Sequence, residues 1–128
     1  MELLHQDLTD RIIGCLIDVH KVLGPCLPEH SYQAAAALEM KAQGLKFLRE
    51  PEFIVKYRDE VVGLHKPDFI VEDKVVLELK SVKVLSDIFR IQVRTYLHLT
   101  KLEVGLLVNF NVVVLKEGIK RIETWASL

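Results

Sequence analysis

Asp68, Glu78 and Lys80 fall within one short run, His65-Lys66-Pro67-Asp68-Phe69-Ile70-Val71-Glu72-Asp73-Lys74-Val75-Val76-Leu77-Glu78-Leu79-Lys80. Two converging carboxylates suit Mg²⁺ or Mn²⁺, hard cations that take oxygen ligands. A cation so held polarises a phosphoryl oxygen and lowers the pKa of its bound water. A lysine beside it can orient or deprotonate that water and offset negative charge as it develops. These are the needs of phosphodiester hydrolysis. The pattern is short and common, however, and for an arbitrary match an ordinary ion pair on an exposed strand face is the default reading.

Whether the three side chains meet depends on register. If Glu72-Asp73-Lys74 forms a three-residue hairpin loop, Val71 pairs with Val75 and counting outward sets Asp68 opposite Glu78. Opposed residues share a face, with Cβ atoms about 5 Å apart. Lys80 joins them because strand side chains alternate, while Leu77 and Leu79 face the other way. A two-residue turn would set Asp68 opposite Leu77 and turn it from Glu78.

Several elements must hold this hairpin. Ile12, Ile13, Leu16, Ile17, Val19 and Leu23 make a helical stripe stopped by Gly24-Pro25, with Thr9 or Asp7 as caps. A second helix is expected from Glu29 to Gln43, after Pro28 and before Gly44. Strands follow at Phe53–Tyr57, Val61–Leu64, Asp68–Val71 and Val75–Leu79. A third helix runs from Ser86 to Thr100, then a strand buried on both faces from Val104 to Phe110 and a weaker one from Ile119 to Thr124. A meander followed by a crossover helix predicts an α/β fold, a mixed sheet of about five strands flanked by helices.

The 128 residues fit a single domain, half of them hydrophobic and 27% charged. No apolar run nears the roughly 18 residues of a membrane span. The stretch Met1-Glu2-Leu3-Leu4-His5-Gln6-Asp7 carries acid where a signal peptide needs positive charge, so a cytoplasmic location is expected. Cys15 and Cys26 are too few to staple a fold, and Cys15 lies on the apolar helix face as a small buried side chain. The five histidines (His5, His20, His30, His65, His98) show no zinc spacing. His30 and His65 could lie near the proposed cleft but are read as surface residues. No Walker loop, dinucleotide fingerprint or GxSxG elbow is present. Phe47, Phe89 and Trp125 are too dispersed along the chain for a stacking platform. A net charge of −1 argues against a general nucleic-acid coat but allows a local basic cleft, for which Lys80, Lys83, Arg90 and Arg94 are candidates.

Pro67-Asp68, then Glu78-Leu79-Lys80, then Gln92 and Tyr96 on one helix face, resembles the PD-(D/E)XK nuclease superfamily. The chain is similar, more closely, to that superfamily's small GxxExxY proteins: through Ile13-Gly14, Val19-His20-Lys21, Gly24-Pro25-Cys26-Leu27-Pro28-Glu29-His30-Ser31-Tyr32, Val104-Gly105-Leu106-Leu107-Val108-Asn109-Phe110 and Gly118-Ile119-Lys120-Arg121-Ile122. The resemblance implies a restriction-endonuclease-like fold in which Asp68 and Glu78 ligate the metal, the Leu79 carbonyl helps, Lys80 acts on the water and Gln92 positions Lys80 or a phosphate. It also implies a further acidic group from Glu29, which is equally a favourable acid in a first helical turn. Tyr32 reads as packing.

Three departures concern the entrance. Cys26 stands where the signature has its first glycine, so a positive φ there would cost of order 1 kcal/mol. Pro28 replaces an aliphatic residue, and His65-Lys66 an arginine-containing approach. Two accounts result. One is a Mg²⁺-dependent nuclease acting on DNA, with homodimerisation expected because so small a domain offers little surface to a duplex. The other is a non-catalytic nucleic-acid- or protein-binding module that keeps the fold, favoured by small size and near-neutral charge.

Overall fold

The computed structural model describes residues 3–124, so the expectations for Met1, Glu2 and Trp125 lie outside the described residues. Helix α1 spans Gln6–Leu23 and buries Ile12, Cys15, Leu16 and Val19. It begins a turn earlier than the apolar stripe suggests, after His5 at φ 57°, and neither Thr9 nor Asp7 caps it. Thr9 instead donates its hydroxyl to the Gln6 carbonyl from inside the first turn.

Helix α2, Glu29–Ala42, starts directly after Pro28, which is itself extended (φ −62°, ψ 149°) and stands just outside the first turn. The turn between the helices wraps round the Tyr32 hydroxyl. That group donates to the Gly24 carbonyl (2.6 Å) and accepts from the Leu27 N–H (3.1 Å). The ring itself is fully buried, stacked on Phe110 with centroids 4.3 Å apart. Tyr32→Phe would keep the stacking and orphan both backbone groups, so we expect a loss of about 1–3 kcal/mol in denaturant unfolding. A change within error would mean that the turn holds without the hydroxyl. Cys26 adopts φ 72° in this turn, the strained conformation its sequence position implied, and its thiol lies 3.2 Å from Asn111 Oδ1.

The sheet has the order β1-β4-β5-β6-β7, from β1 (Phe47–Arg49), β4 (Phe69–Val71), β5 (Val75–Lys80), β6 (Val104–Asn109) and β7 (Ile119–Glu123). β5 and β6 are parallel, joined across the sheet by α3 (Asp87–Thr100), and the other neighbours are antiparallel. This is the expected mixed five-strand α/β sheet flanked by helices. Its membership differs in one respect. β2 (Phe53–Tyr57) and β3 (Glu60–His65) pair with each other as a separate two-stranded ribbon, and β1 takes the edge place beside β4. Three residues are too few for β1 to show an alternation. The ribbon carries apolar residues on both faces, so its pattern does not reveal that it leaves the sheet.

α1 and α2 cover one side, where Phe69, Val71, Val75, Leu77 and Leu79 meet Ile12, Leu16, Tyr32 and Met40. α3 covers the other, packing Val93, Tyr96 and Leu97 on Ile70, Val76, Leu107 and Ile122. All six residues of β6 are buried, as a central parallel strand covered on both faces requires.

Candidate active site

The hairpin β4–β5 closes through Glu72-Asp73-Lys74, with Lys74 N–H donating to the Val71 carbonyl and Val71 paired with Val75. Glu72 and Asp73 hold φ of 54° and 57° there. The register runs on through Ile70–Val76 to Phe69–Leu77, where the ladder stops. One place further Asp68 meets Glu78, and the side chains take over from the backbone. Asp68 N–H donates to Glu78 Oε1 and Leu79 N–H donates to Asp68 Oδ2, each at 2.7 Å. The two carboxylates therefore hold each other's strand.

Pro67 explains why the ladder ends here. Continuing the register would set Leu79 against residue 67, and proline has no N–H for the Leu79 carbonyl. Lys80 O bonds Phe110 N–H on the β6 side, so by alternation the Leu79 carbonyl faces the side where β4 has ended. That oxygen points to the Asp68 side, as its N–H does.

Lys80 completes the group, its Nζ 3.5 Å from Glu78 Oε2 and 4.8 Å from the centroid of the Phe89 ring. The polar cluster is deeply set: Glu78 is 4% exposed and Asp68 9%. Burial raises the Asp68 pKa, against hydrogen bonds from Leu79 and Gln33 and the charge of Lys80. Glu78 is pushed up to about 8, by burial first and then by the charge of Asp68. Without a metal the pair thus holds a proton to higher pH than two separate carboxyls would.

Two residues not singled out from sequence support Asp68. Gln33 of α2 donates its amide to Asp68 Oδ1 at 2.8 Å and accepts from Arg49 Nε at 2.9 Å. The arginine can only donate, so it fixes which end of the Gln33 amide faces Asp68. A signal existed for Gln33, which lies four places after Glu29 on the same helix face. Arg49 had none, since β1 itself was not recognised. Asn109 pins the segment after Lys80, bonding both the N–H and the carbonyl of Val82.

Glu29 feels this cluster. Burial raises its pKa, Lys80 lowers it and Asp68 raises it. It does not complete a compact set, because among the described residues no three His, Cys, Asp or Glu side chains come together as a metal cage. Gln92 donates to the Tyr96 hydroxyl at 3.3 Å, and its carboxamide oxygen does not accept from Lys80. Burial, then the charges of Glu78 and Asp68, push Tyr96 up to about 12, so it stays a neutral phenol. Beside Lys80 opens a cavity of about 380 Å³, lined also by His65, Phe89, Gln92 and Tyr96. His65 is exposed, as the sequence reading placed it, and borders this cavity from the surface. Arg90, Arg94 and Lys83 do not line this cavity.

Comparison with known families decides the kinship. A PD-(D/E)XK nuclease superfamily profile matches residues 6–122, nearly the whole chain. The chain belongs to the PD-(D/E)XK nuclease superfamily. No curated protein and no solved structure matches it. Members of this nuclease superfamily generally use divalent metals, and the donor set here fits one. Two desolvated carboxylates are held face to face with a single ammonium for compensation, and a cation would relieve their repulsion. Mg²⁺ keeps several waters and needs only one or two protein carboxylates, so the lack of a cage of three is no obstacle. Asp68 and Glu78 would hold the ion, with the Leu79 carbonyl to the same side. When bound it would supply a polarised phosphoryl oxygen and a water of lowered pKa. Lys80, 3.5 Å from Glu78, would then stand beside that water and the charge that develops.

Proposed function

We propose that this chain is a Mg²⁺- or Mn²⁺-dependent nuclease that hydrolyses phosphodiester bonds in DNA. Asp68 and Glu78 carry the metal with help from Leu79 and a further acidic group from Glu29, Lys80 assists the attacking water, and Gln92 positions Lys80 or a substrate phosphate. The observation that carries this reading is the reciprocal clasp of Asp68 and Glu78 with Lys80 on its flank, formed where Pro67 ends the strand ladder. Within the superfamily we assign the chain to the GxxExxY proteins. The buried Tyr32, the positive φ at Cys26 and the nearness of Glu29 to Lys80 support that assignment. Action in the cytoplasm, where nucleic acid and Mg²⁺ are both at hand, belongs to the same proposal. No helix among the described residues is long and apolar enough to cross a membrane.

Incubation with linear, circular and single-stranded DNA in Mg²⁺ is expected to give cleavage that EDTA stops. One observation favours a second reading, a binding module that pairs with a protein or with itself. Ile54, Val61, Val62 and Leu64 of the β2–β3 ribbon are all more than half exposed. Failure to cut any of the three DNA forms would make that module the better account.

A further inference from the structure

We infer that the cavity beside Lys80 receives one unpaired base of the strand being cut, which makes single-stranded or locally unpaired nucleic acid the preferred substrate. This rests on the nuclease reading above and adds to it the form of the substrate.

The walls of the cavity argue for a base. Phe89, Tyr96 and His65 supply three rings, and the His65 and Tyr96 rings meet edge to face with centroids 6.4 Å apart. Ile88 and Ile91 add aliphatic surface at the mouth, 62% and 43% exposed. Such walls bind a flat apolar face, which a base offers only when unstacked. The volume of about 380 Å³ lies at the small end of the roughly 300–1,000 Å³ of ligand pockets. It has room for a base and its sugar and not for the end of a duplex.

The polar groups are few and of the right kind. Gln92 lines the cavity and its buried carboxamide oxygen has no hydrogen-bond partner, so a turn of that amide would offer an acceptor to the amino or imino edge of a base. Thr95 stands beside it in the lining.

Position completes the case. The Lys80 ammonium that lies over the Phe89 ring is the one that meets Glu78. Pocket and carboxylates are therefore one side chain apart, the span from a phosphate across its sugar to its own base. The fold gathers rings from positions 65, 89 and 96 for a single base rather than a stacked run.

The test is fluorescence anisotropy in EDTA, so that no strand is cut. The probes are a labelled mixed-sequence single strand, the blunt duplex of the same length, and an abasic strand of that length. The intact single strand is expected to bind at least about tenfold more tightly than either of the others. Ile91→Trp, which fills the mouth from an exposed position, should erase that preference, and Thr95→Phe serves as a second plug should the first variant melt early. Equal binding of the three probes, weak binding of all, or a preference that survives both plugs would overturn the inference. Cleavage in Mg²⁺ separates the two readings. Duplex cut as fast as single strand removes the base pocket and leaves the nuclease standing, whereas no cleavage of any form removes the nuclease.

Discussion

Glu78→Gln is expected to abolish cleavage and, in EDTA above pH 8, to make the protein more stable by about 2 kcal/mol. The reason is that Glu78 is poorly placed as a charge when no metal is bound. It is buried, it faces Asp68, and Glu29 adds a further unfavourable charge, against which the Asp68 N–H and Lys80 offer only part compensation. Its pKa rises from the 4.5 of an ordinary glutamate to about 8 in the fold. Between those values the native state holds a proton that the unfolded chain has lost, so stability falls as pH rises through that window and levels off above it. Asp68, also raised, acts in the same direction from its own lower starting point. Glutamine keeps an oxygen for the Asp68 N–H and has no charge to desolvate, so its stability should decline less than the parent's, through Asp68 alone. Denaturant titrations of both proteins from pH 5 to 9 would show the curves diverging. Parallel curves would mean that the carboxylate pair is not strained.

Lys80→Ala is expected to lower the rate of cleavage by about 10²–10⁴-fold, the usual scale for a positioned proton-transfer or charge-stabilising group. Lys80→Arg should recover less than about a tenth of the parent rate. Lysine is a compact point charge, and its Nζ meets one Glu78 oxygen while packing on Phe89. An arginine fork would engage both Glu78 oxygens and compete with the cation for them. Single-turnover rates separate the two variants from a folding defect, provided circular dichroism matches the parent. Full activity in the arginine variant would reduce Lys80 to a general positive charge.

The central hairpin was legible because one number, the length of the loop at Glu72-Asp73-Lys74, fixes which side chains face each other. Three residues put Asp68 against Glu78, and the structure has that register. The buried strand at Val104–Asn109 was legible as an unbroken apolar run, the first helix from its apolar stripe, and the second from its alanines between Pro28 and Gly44. What stayed hidden depends on distant contact. Arg49 lies on a three-residue strand that exists only because β4 pairs with it, and Gln33 gains its role through that arginine. His65 reaches the cleft because the ribbon leaves the sheet and lies toward α3, which no local pattern encodes. The role of Pro67 sits between these cases: its missing N–H is plain from sequence, but its effect on the Leu79 carbonyl needs the register.

The most direct measurement is Mg²⁺-dependent DNA cleavage by the parent and by Asp68→Ala, purified identically and assayed with and without EDTA. Cleavage by the parent alone, and only with metal, is the predicted result. Cleavage by Asp68→Ala at the parent's rate, or by neither protein, would contradict the claim that the Asp68–Glu78 clasp is a metal-dependent nuclease site.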